Sequence, residues 1–245
     1  MTQDPFQDAF IHLPSLRARV THPEKSRLRL TPEAFAALDE RARLAGHPAS
    51  WRLSDQVLED SRRELLGNHG ISGDLWVYSY GSLMWDPGFH FTEVRLADLD
   101  GHARRFTMKI ELGRGSRERP ALMLALESQI GCCRGLAFRI PAKSVEDESA
   151  IVWRREMVRG GYCPAMVPMT TPQGPITALA FVANPAHPNY VGELPLGETA
   201  AIIASGTGVL GTNREYLEQL AAQLDALGIE DPYVVQLYQH VVAAL

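Results

Sequence analysis

Two stretches of this 245-residue chain carry residue types that do chemistry together. A lone carboxylate, Glu156, stands in Arg154-Arg155-Glu156, shortly before Gly160-Gly161-Tyr162. Far upstream, the apolar run Leu75-Trp76-Val77-Tyr78 leads into Tyr80-Gly81-Ser82-Leu83. The first reads as an acid–base residue beside a flexible turn. The second reads as a strand ending in a tight loop, where glycine admits a ligand close to the main chain. Consecutive N–H groups at such a turn form an anion-binding concavity. Together they describe an enzyme that holds its substrate with main-chain groups and moves a proton with one side chain. Each also has a plainer reading, Glu156 as a solvated helix glutamate and Gly81 as an ordinary turn. Met157 and Val158 would desolvate Glu156 and raise its pKa toward a useful acid–base value. Arg154 and Arg155 would oppose that shift, so its direction stays open. Ser82 lacks the Gly-x-Ser-x-Gly setting of a nucleophile elbow and reads as a hydrogen-bonding group.

The elements that must position these residues follow from periodicity and punctuation. Leu75 to Tyr80 is a buried strand. Leu99 to Leu112 holds one or two further strands, with Phe106, Met108 and Ile110 alternating. Leu122 to Glu127 and Cys132 to Ile140 read as a pair joined by Ser128-Gln129-Ile130-Gly131. Val145 to Val158 is a helix that carries Glu156 near its C-terminal end and stops at Gly160-Gly161. Ala165 to Met169 and Ile176 to Val182 form another strand pair. A short helix ends near Ser205. Asn213 N-caps a helix to Leu227, and Asp231-Pro232 opens the last one. Ahead of all this, Thr31-Pro32 starts a helix to about Ala45, and a second runs from Ser54 to Leu66. Residues 1–72 therefore read as a mainly helical extension. Strands and helices interleave without repeats or strict alternation, which indicates an α+β domain.

Composition narrows the function classes. Charged residues make up 22% and hydrophobic residues 45%, ordinary for a soluble protein. The formal charge of −5 gives no basis for a nucleic-acid surface. No apolar run approaches the length of a membrane span, and Met1-Thr2-Gln3-Asp4-Pro5 has neither the basic start nor the apolar core of a secretory signal. The three cysteines, Cys132, Cys133 and Cys163, are too sparse for a disulfide scaffold and fit a reducing cytoplasm. No metal site is expected from them. The glycine-rich phrases Gly113-Arg114-Gly115-Ser116 and Gly206 to Gly211 lack the spacing of a P-loop or a dinucleotide fingerprint and read as loops.

Taken in order, the phrases resemble those of the ChaC-type gamma-glutamylcyclotransferases, the glutathione-specific branch of a wider superfamily. They are Tyr80-Gly81-Ser82-Leu83-Met84-Trp85, Gly101 to Phe106, Gly135 to Pro141, Trp153-Arg154-Arg155-Glu156-Met157 with Gly160-Gly161-Tyr162, Asn189-Tyr190, and Gly206 to Leu217. The resemblance runs from about Leu75 to the C-terminus. It implies a gamma-glutamylcyclotransferase-like fold, a mixed β-sheet or barrel core with peripheral helices, in a catalytic domain over residues 73–245. It implies cleavage of reduced glutathione to 5-oxoproline and cysteinylglycine, without a cofactor, in the cytoplasm. Glu156 would be general base and then general acid. Tyr80, Gly81, Ser82 and Leu83 would bind the γ-glutamyl portion. Tyr162 would orient substrate or simply pack after the glycine turn. Arg105 would pair with a substrate carboxylate or anchor structure. Glu111 and Glu127 are carboxylates outside the matching catalytic phrase. Other γ-glutamyl amines or peptides as substrates, and a silent γ-glutamyl-binding protein, are the alternatives. Neither a nucleic acid nor a membrane is an expected partner, and the oligomeric state is left open.

Overall fold

The structure, a computed structural model, describes residues 5–243. The first four residues, read above for a secretory start, lie outside that range. The helices are α1 (Pro5–Asp8), α2 (Pro32–Leu44), α3 (Asp55–Asn68), α4 (Val145–Glu156), α5 (Leu196–Ser205), α6 (Asn213–Ala226) and α7 (Pro232–Ala243). The strands are β1 (Leu75–Ser79), β2 (Glu93–Ile110), β3 (Ala121–Ile140), β4 (Tyr162–Met169), β5 (Ile176–Ala183), β6 (Thr207–Gly208) and β7 (Gly211–Thr212). Among the described residues no helix is long and apolar enough to cross a membrane.

β1 through β5 form one mixed sheet in the order β2-β3-β1-β5-β4. β1 lies centrally, antiparallel to β3 and parallel to β5. A central strand covered on both faces needs a near-continuous apolar run, and Leu75, Val77 and Tyr78 are each almost fully buried. The sheet curls until its edges meet. Asp98 of β2 exchanges both backbone hydrogen bonds with Thr170, just past β4, at 2.8 and 3.1 Å. The result is an α+β half-barrel with peripheral helices, the expected class.

Several boundaries differ from the expected ones. β3 is a single strand through Ser128-Gln129-Ile130-Gly131, not a hairpin, because β2 pairs with it from Glu93↔Arg139 to Ile110↔Ala121. Breaks in register at Asp100/His102 and Phe106/Met108 absorb the bend. β2 correspondingly starts at Glu93 rather than Leu99. β4 starts at Tyr162 rather than Ala165. Pro164 is accommodated because β4 pairs only with β5 along its length, and proline is tolerated on an edge. Thr212, not Asn213, caps α6, in a reciprocal capping box with Glu215. Asn213 is fully buried and clasps Leu122 instead, accepting from its N–H and donating to its carbonyl, both at 2.8 Å.

The helix that carries Glu156 is held from two sides. Trp153 of α4 is buried, its ring 5.5 Å from that of Phe181, and its indole N–H donates to Ser61 Oγ of α3 at 2.9 Å. Burying such a ring contributes roughly 2–3 kcal/mol. Arg62 of α3 is 2% exposed and reaches α4 at Glu146 (2.6 Å) and Ser149 (2.9 Å). Further upstream, Arg29 forms a two-pronged pair with Glu148 at 2.7 and 2.9 Å. Phe10 packs edge-on to Phe91, which packs on Phe138 of β3. The N-terminal residues thus share one hydrophobic core with the sheet.

Candidate active site

α4 ends on Glu156, and the chain then turns sharply. Met157 N–H closes the last helical turn on Trp153, and Gly160 N–H bonds Met157 O at 3.1 Å, with Gly160 at a φ of +72°. The helix end lies beside the loop after β1, where Ser82–Met84 make one 3-10 turn. Met84 N–H bonds Gly81 O at 2.9 Å and Trp85 N–H bonds Ser82 O. The first amides of such a turn have no partner within it. The turn borders a cavity of about 260 Å³ whose lining includes Tyr80, Gly81, Ser82, Leu83, Glu156 and Tyr162. Six of the seven residues singled out from the sequence are thus brought together.

Arg105 is the seventh, and it lies elsewhere. Its guanidinium pairs with Glu193 at 3.0 Å and sits 4.5 Å over the Tyr233 ring. Glu111 is beside Lys109 on the surface. Glu127 is engaged by the hydroxyls of Thr107 and Tyr190.

Among the described residues, Glu156 is the one carboxylate on the cavity lining. Burial pushes its pKa above the usual carboxylate range, and the adjacent Arg155 only partly offsets this. The question left open by the sequence is therefore answered by desolvation. The 16% of its side chain that stays accessible is consistent with a group lining a cavity within a surrounding wall of protein.

Arg155 links the two halves of the site. Its Nε lies 3.2 Å from Glu156 Oε1, and its Nη2 donates to Ser82 Oγ at 3.0 Å. Its Nη1 donates to the carbonyls of Asp86 and Pro87. One guanidinium thereby fixes the carboxylate and the glycine loop relative to each other. Ser82 spends its hydroxyl as an acceptor here, in keeping with a hydrogen-bonding role.

Three tyrosines surround the carboxylate. The hydroxyl of Tyr80 donates to Phe181 O at 2.9 Å and that of Tyr162 to Leu124 O at 3.2 Å. Their lone pairs, not their protons, remain for a ligand. Tyr216 of α6 is different. A backbone hydrogen bond from Ser82 reaches its hydroxyl, and burial together with the Glu156 charge pushes its pKa up to about 12. A Cβ placed on Gly81 would stand 2.8 Å from that hydroxyl. Removal of the hydroxyl in Tyr216→Phe is expected to lower kcat/KM about tenfold, the scale of one buried hydrogen bond. Steady-state kinetics checks this, and thermal denaturation is expected to show a separate loss of about 1–3 kcal/mol from the unpaired Ser82 amide.

Sequence reasoning missed Tyr216 and Arg155 as site residues. Tyr216 lies on the buried face of its helix with Leu217, Leu220 and Leu224, where its type signals packing, and Arg155 stands in the sequence only as a charge beside Glu156. Leu28 was missed as well. It lines the cavity from the N-terminal segment, and nearby Leu53 N–H bonds Val158 O at 2.9 Å. The glycine-rich phrases pack on each other. A Cβ at Gly208 would lie 2.4 Å from the carbonyls of both Gly113 and Gly115. Leu210 N–H bonds Gly113 O at 2.8 Å.

The chain is also similar to known proteins in sequence and in fold. A family profile described as ChaC-like protein matches residues 75–244. The glutathione-specific gamma-glutamylcyclotransferase of Escherichia coli (strain K12) is 38% identical over 160 residues, covering 65% of this chain and 69% of that protein. Glutathione-specific gamma-glutamylcyclotransferase 1 of Homo sapiens is 35% identical over 165 residues, covering 66% of this chain and 74% of that protein. In fold, the chain is similar to the crystal structure of a selenomethionine-labelled gamma-glutamyl cyclotransferase specific to glutathione from yeast. That match has a TM-score of 0.65 and 22% identity, and covers 70% of this chain and 96% of the yeast one.

Proposed function

The chain belongs to the ChaC-like family, and from that premise we propose that it is a cytoplasmic gamma-glutamylcyclotransferase acting on reduced glutathione. The products are 5-oxoproline and cysteinylglycine. The observation that carries the reading is a desolvated carboxylate, Glu156, held by Arg155 against a glycine loop in one cavity.

The reaction is an intramolecular aminolysis. The α-amine nitrogen of the γ-glutamyl group attacks its own γ-carbonyl carbon and closes a five-membered lactam. The amide bond to cysteine breaks, and the cysteine nitrogen leaves as an amine. Glu156 takes the proton from the attacking amine and returns it to the leaving nitrogen, so one carboxylate serves both halves. A raised pKa suits that double duty, since the group must give the proton back. The Gly81 and Leu83 amides anchor the γ-glutamyl portion and face the oxygen where charge develops, while the Ser82 amide is held by the Tyr216 hydroxyl. Holding amine and carbonyl together supplies the proximity advantage. Tyr80 and Tyr162 shape the wall and offer lone pairs to the substrate. Arg105 holds Glu193 and the Tyr233 ring, a structural anchor. We read residues 73–245 as the catalytic domain and residues 1–72 as an appended segment that braces α4. The confinement of the family match to residues 75–244 supports this division.

A product-resolved assay tests the proposal. Reduced glutathione is expected to yield 5-oxoproline and cysteinylglycine in equal amounts, and faster than γ-glutamyl amino acids yield 5-oxoproline. Glutathione binding without product would favour a silent binding protein. A preference for γ-glutamyl amino acids would move the substrate to other γ-glutamyl amines.

A further inference from the structure

The cavity lining carries two arginines, and they are in opposite states. Arg155 is 7% exposed in its side chain and fully engaged, by Glu156, Ser82 and the loop at 86–87. Arg159 is exposed, and among the described residues its guanidinium has no hydrogen bond, ion pair or aromatic partner. Its backbone is nonetheless fixed. Arg159 O is 3.0 Å from His187 Nε2, and the next residue, Gly160, is tied back to Met157. Arg159 is thus a free cation on a held stem at the cavity's outer edge.

The depth of the other groups sets the direction in which a substrate lies. Tyr80 and Leu83, at the glycine loop, are 8% and 7% exposed, so that end is interior. Under the function proposed above, the γ-glutamyl end sits there and the leaving dipeptide runs outward. Extended peptide spans about 3.3 Å per residue, so the terminal carboxylate of a two-residue leaving group reaches the rim. With Glu156 as the lone carboxylate on the lining among the described residues, nothing acidic on that wall competes for a cation at the rim. Asn189, on the segment that His187 ties to the Arg159 carbonyl, belongs to the same lining.

We propose that Arg159 receives the terminal carboxylate of the leaving dipeptide and so selects γ-glutamyl substrates that carry a carboxylate at the end of the second residue beyond the scissile amide. Guanidinium matches carboxylate in planar, two-pronged geometry. It is a specificity residue, not an acid or base. The pair forms at a solvent-facing rim, so its effect is moderate, about two- to fivefold.

The inference rests on the proposed reading, and one experiment separates the two. The full chain and its Arg159→Gln and Arg159→Lys variants are assayed for 5-oxoproline from glutathione and from glutathione amidated at its terminal carboxyl. The parent is expected to prefer the acid about two- to fivefold in kcat/KM. Arg159→Gln is expected to lose that preference, mainly through KM on the acid, and Arg159→Lys to keep part of it. A parent that makes 5-oxoproline but discriminates acid from amide just as Arg159→Gln does, whether strongly or not at all, overturns the inference alone. A parent that makes no 5-oxoproline from either substrate removes the reading beneath it, and the inference with it.

Discussion

Replacing Glu156 by glutamine is expected to lower kcat for 5-oxoproline formation by about 10²- to 10⁴-fold, the range that a positioned acid–base group contributes. Glutamine keeps the shape of the side chain and can neither take nor return the proton. Substrate binding by the glycine loop is untouched, so KM is expected to change much less than kcat. The pH profile carries a second signature. Glu156 works as a base only when ionised, and burial raises its pKa. The parent's kcat/KM is therefore expected to fall on the acid side at a pH above the usual carboxylate range, and the residual activity of Glu156→Gln to lack that limb. Stability runs the other way. A carboxyl whose pKa is higher folded than unfolded favours the native state while it stays protonated, below the unfolded value. That contribution is lost as pH rises through the folded value. The variant is thus expected to match or exceed the parent's melting temperature near neutrality, with the gap closing as pH falls. Thermal denaturation at several pH values, run beside the kinetics, checks both. Turnover by Glu156→Gln at the parent rate would remove the carboxylate from the mechanism.

The second large effect is expected at Gly81. A methyl group in Gly81→Ala would sit 2.8 Å from the Tyr216 hydroxyl and 3.3 Å from Leu124 Cδ2. Real side chains avoid the first of these distances, so the loop or α6 must shift. Tyr216 is anchored at the start of its helix by the Asn213 clasp on Leu122, which makes the loop the weaker partner. Displacing the amides by even about 1 Å costs on the order of 10²-fold in kcat/KM, while the overpacking destabilises by about 1–3 kcal/mol. A double variant separates the causes. Removing the hydroxyl relieves the shorter contact, so Gly81→Ala with Tyr216→Phe is expected to be more active than Gly81→Ala alone. Non-additive kinetics of this kind report a shared contact. Simple addition of the two single losses would show that the glycine is required for another reason.

Much of the fold was legible because local patterns and tertiary demands agree. β1 reads as a central strand from its apolar run, and Thr31 and Ser54 cap their helices as their types predict. The failures share a cause. The turn assigned to Ser128–Gly131 has good turn chemistry, yet β2 lies alongside and its ladder carries the chain straight through. Pro164 speaks against a strand until the strand is known to be an edge. Asn213 has the right type for a cap but is taken by Leu122, and its neighbour Thr212 caps instead.

For the site, the sequence by itself determined which residues have chemistry to offer. It marked Glu156 by its setting before Gly160-Gly161, and Tyr80-Gly81-Ser82-Leu83 by glycine at a strand's end. Those signals are local, because a turn or a helix end is written within a few residues. Only the tertiary structure decided how these groups stand. It set the direction of the Glu156 pKa, since desolvation depends on Tyr80, Tyr162 and Tyr216 arriving from three separate elements. It divided the arginines, engaging Arg155 with Ser82 and Glu156, drawing Arg105 away to Glu193, and leaving Arg159 free at the rim. It also brought Leu28 from a distant segment onto the cavity wall. Charge pairing and burial are properties of neighbours in space, and sequence order fixes such neighbours only after the sheet has curled.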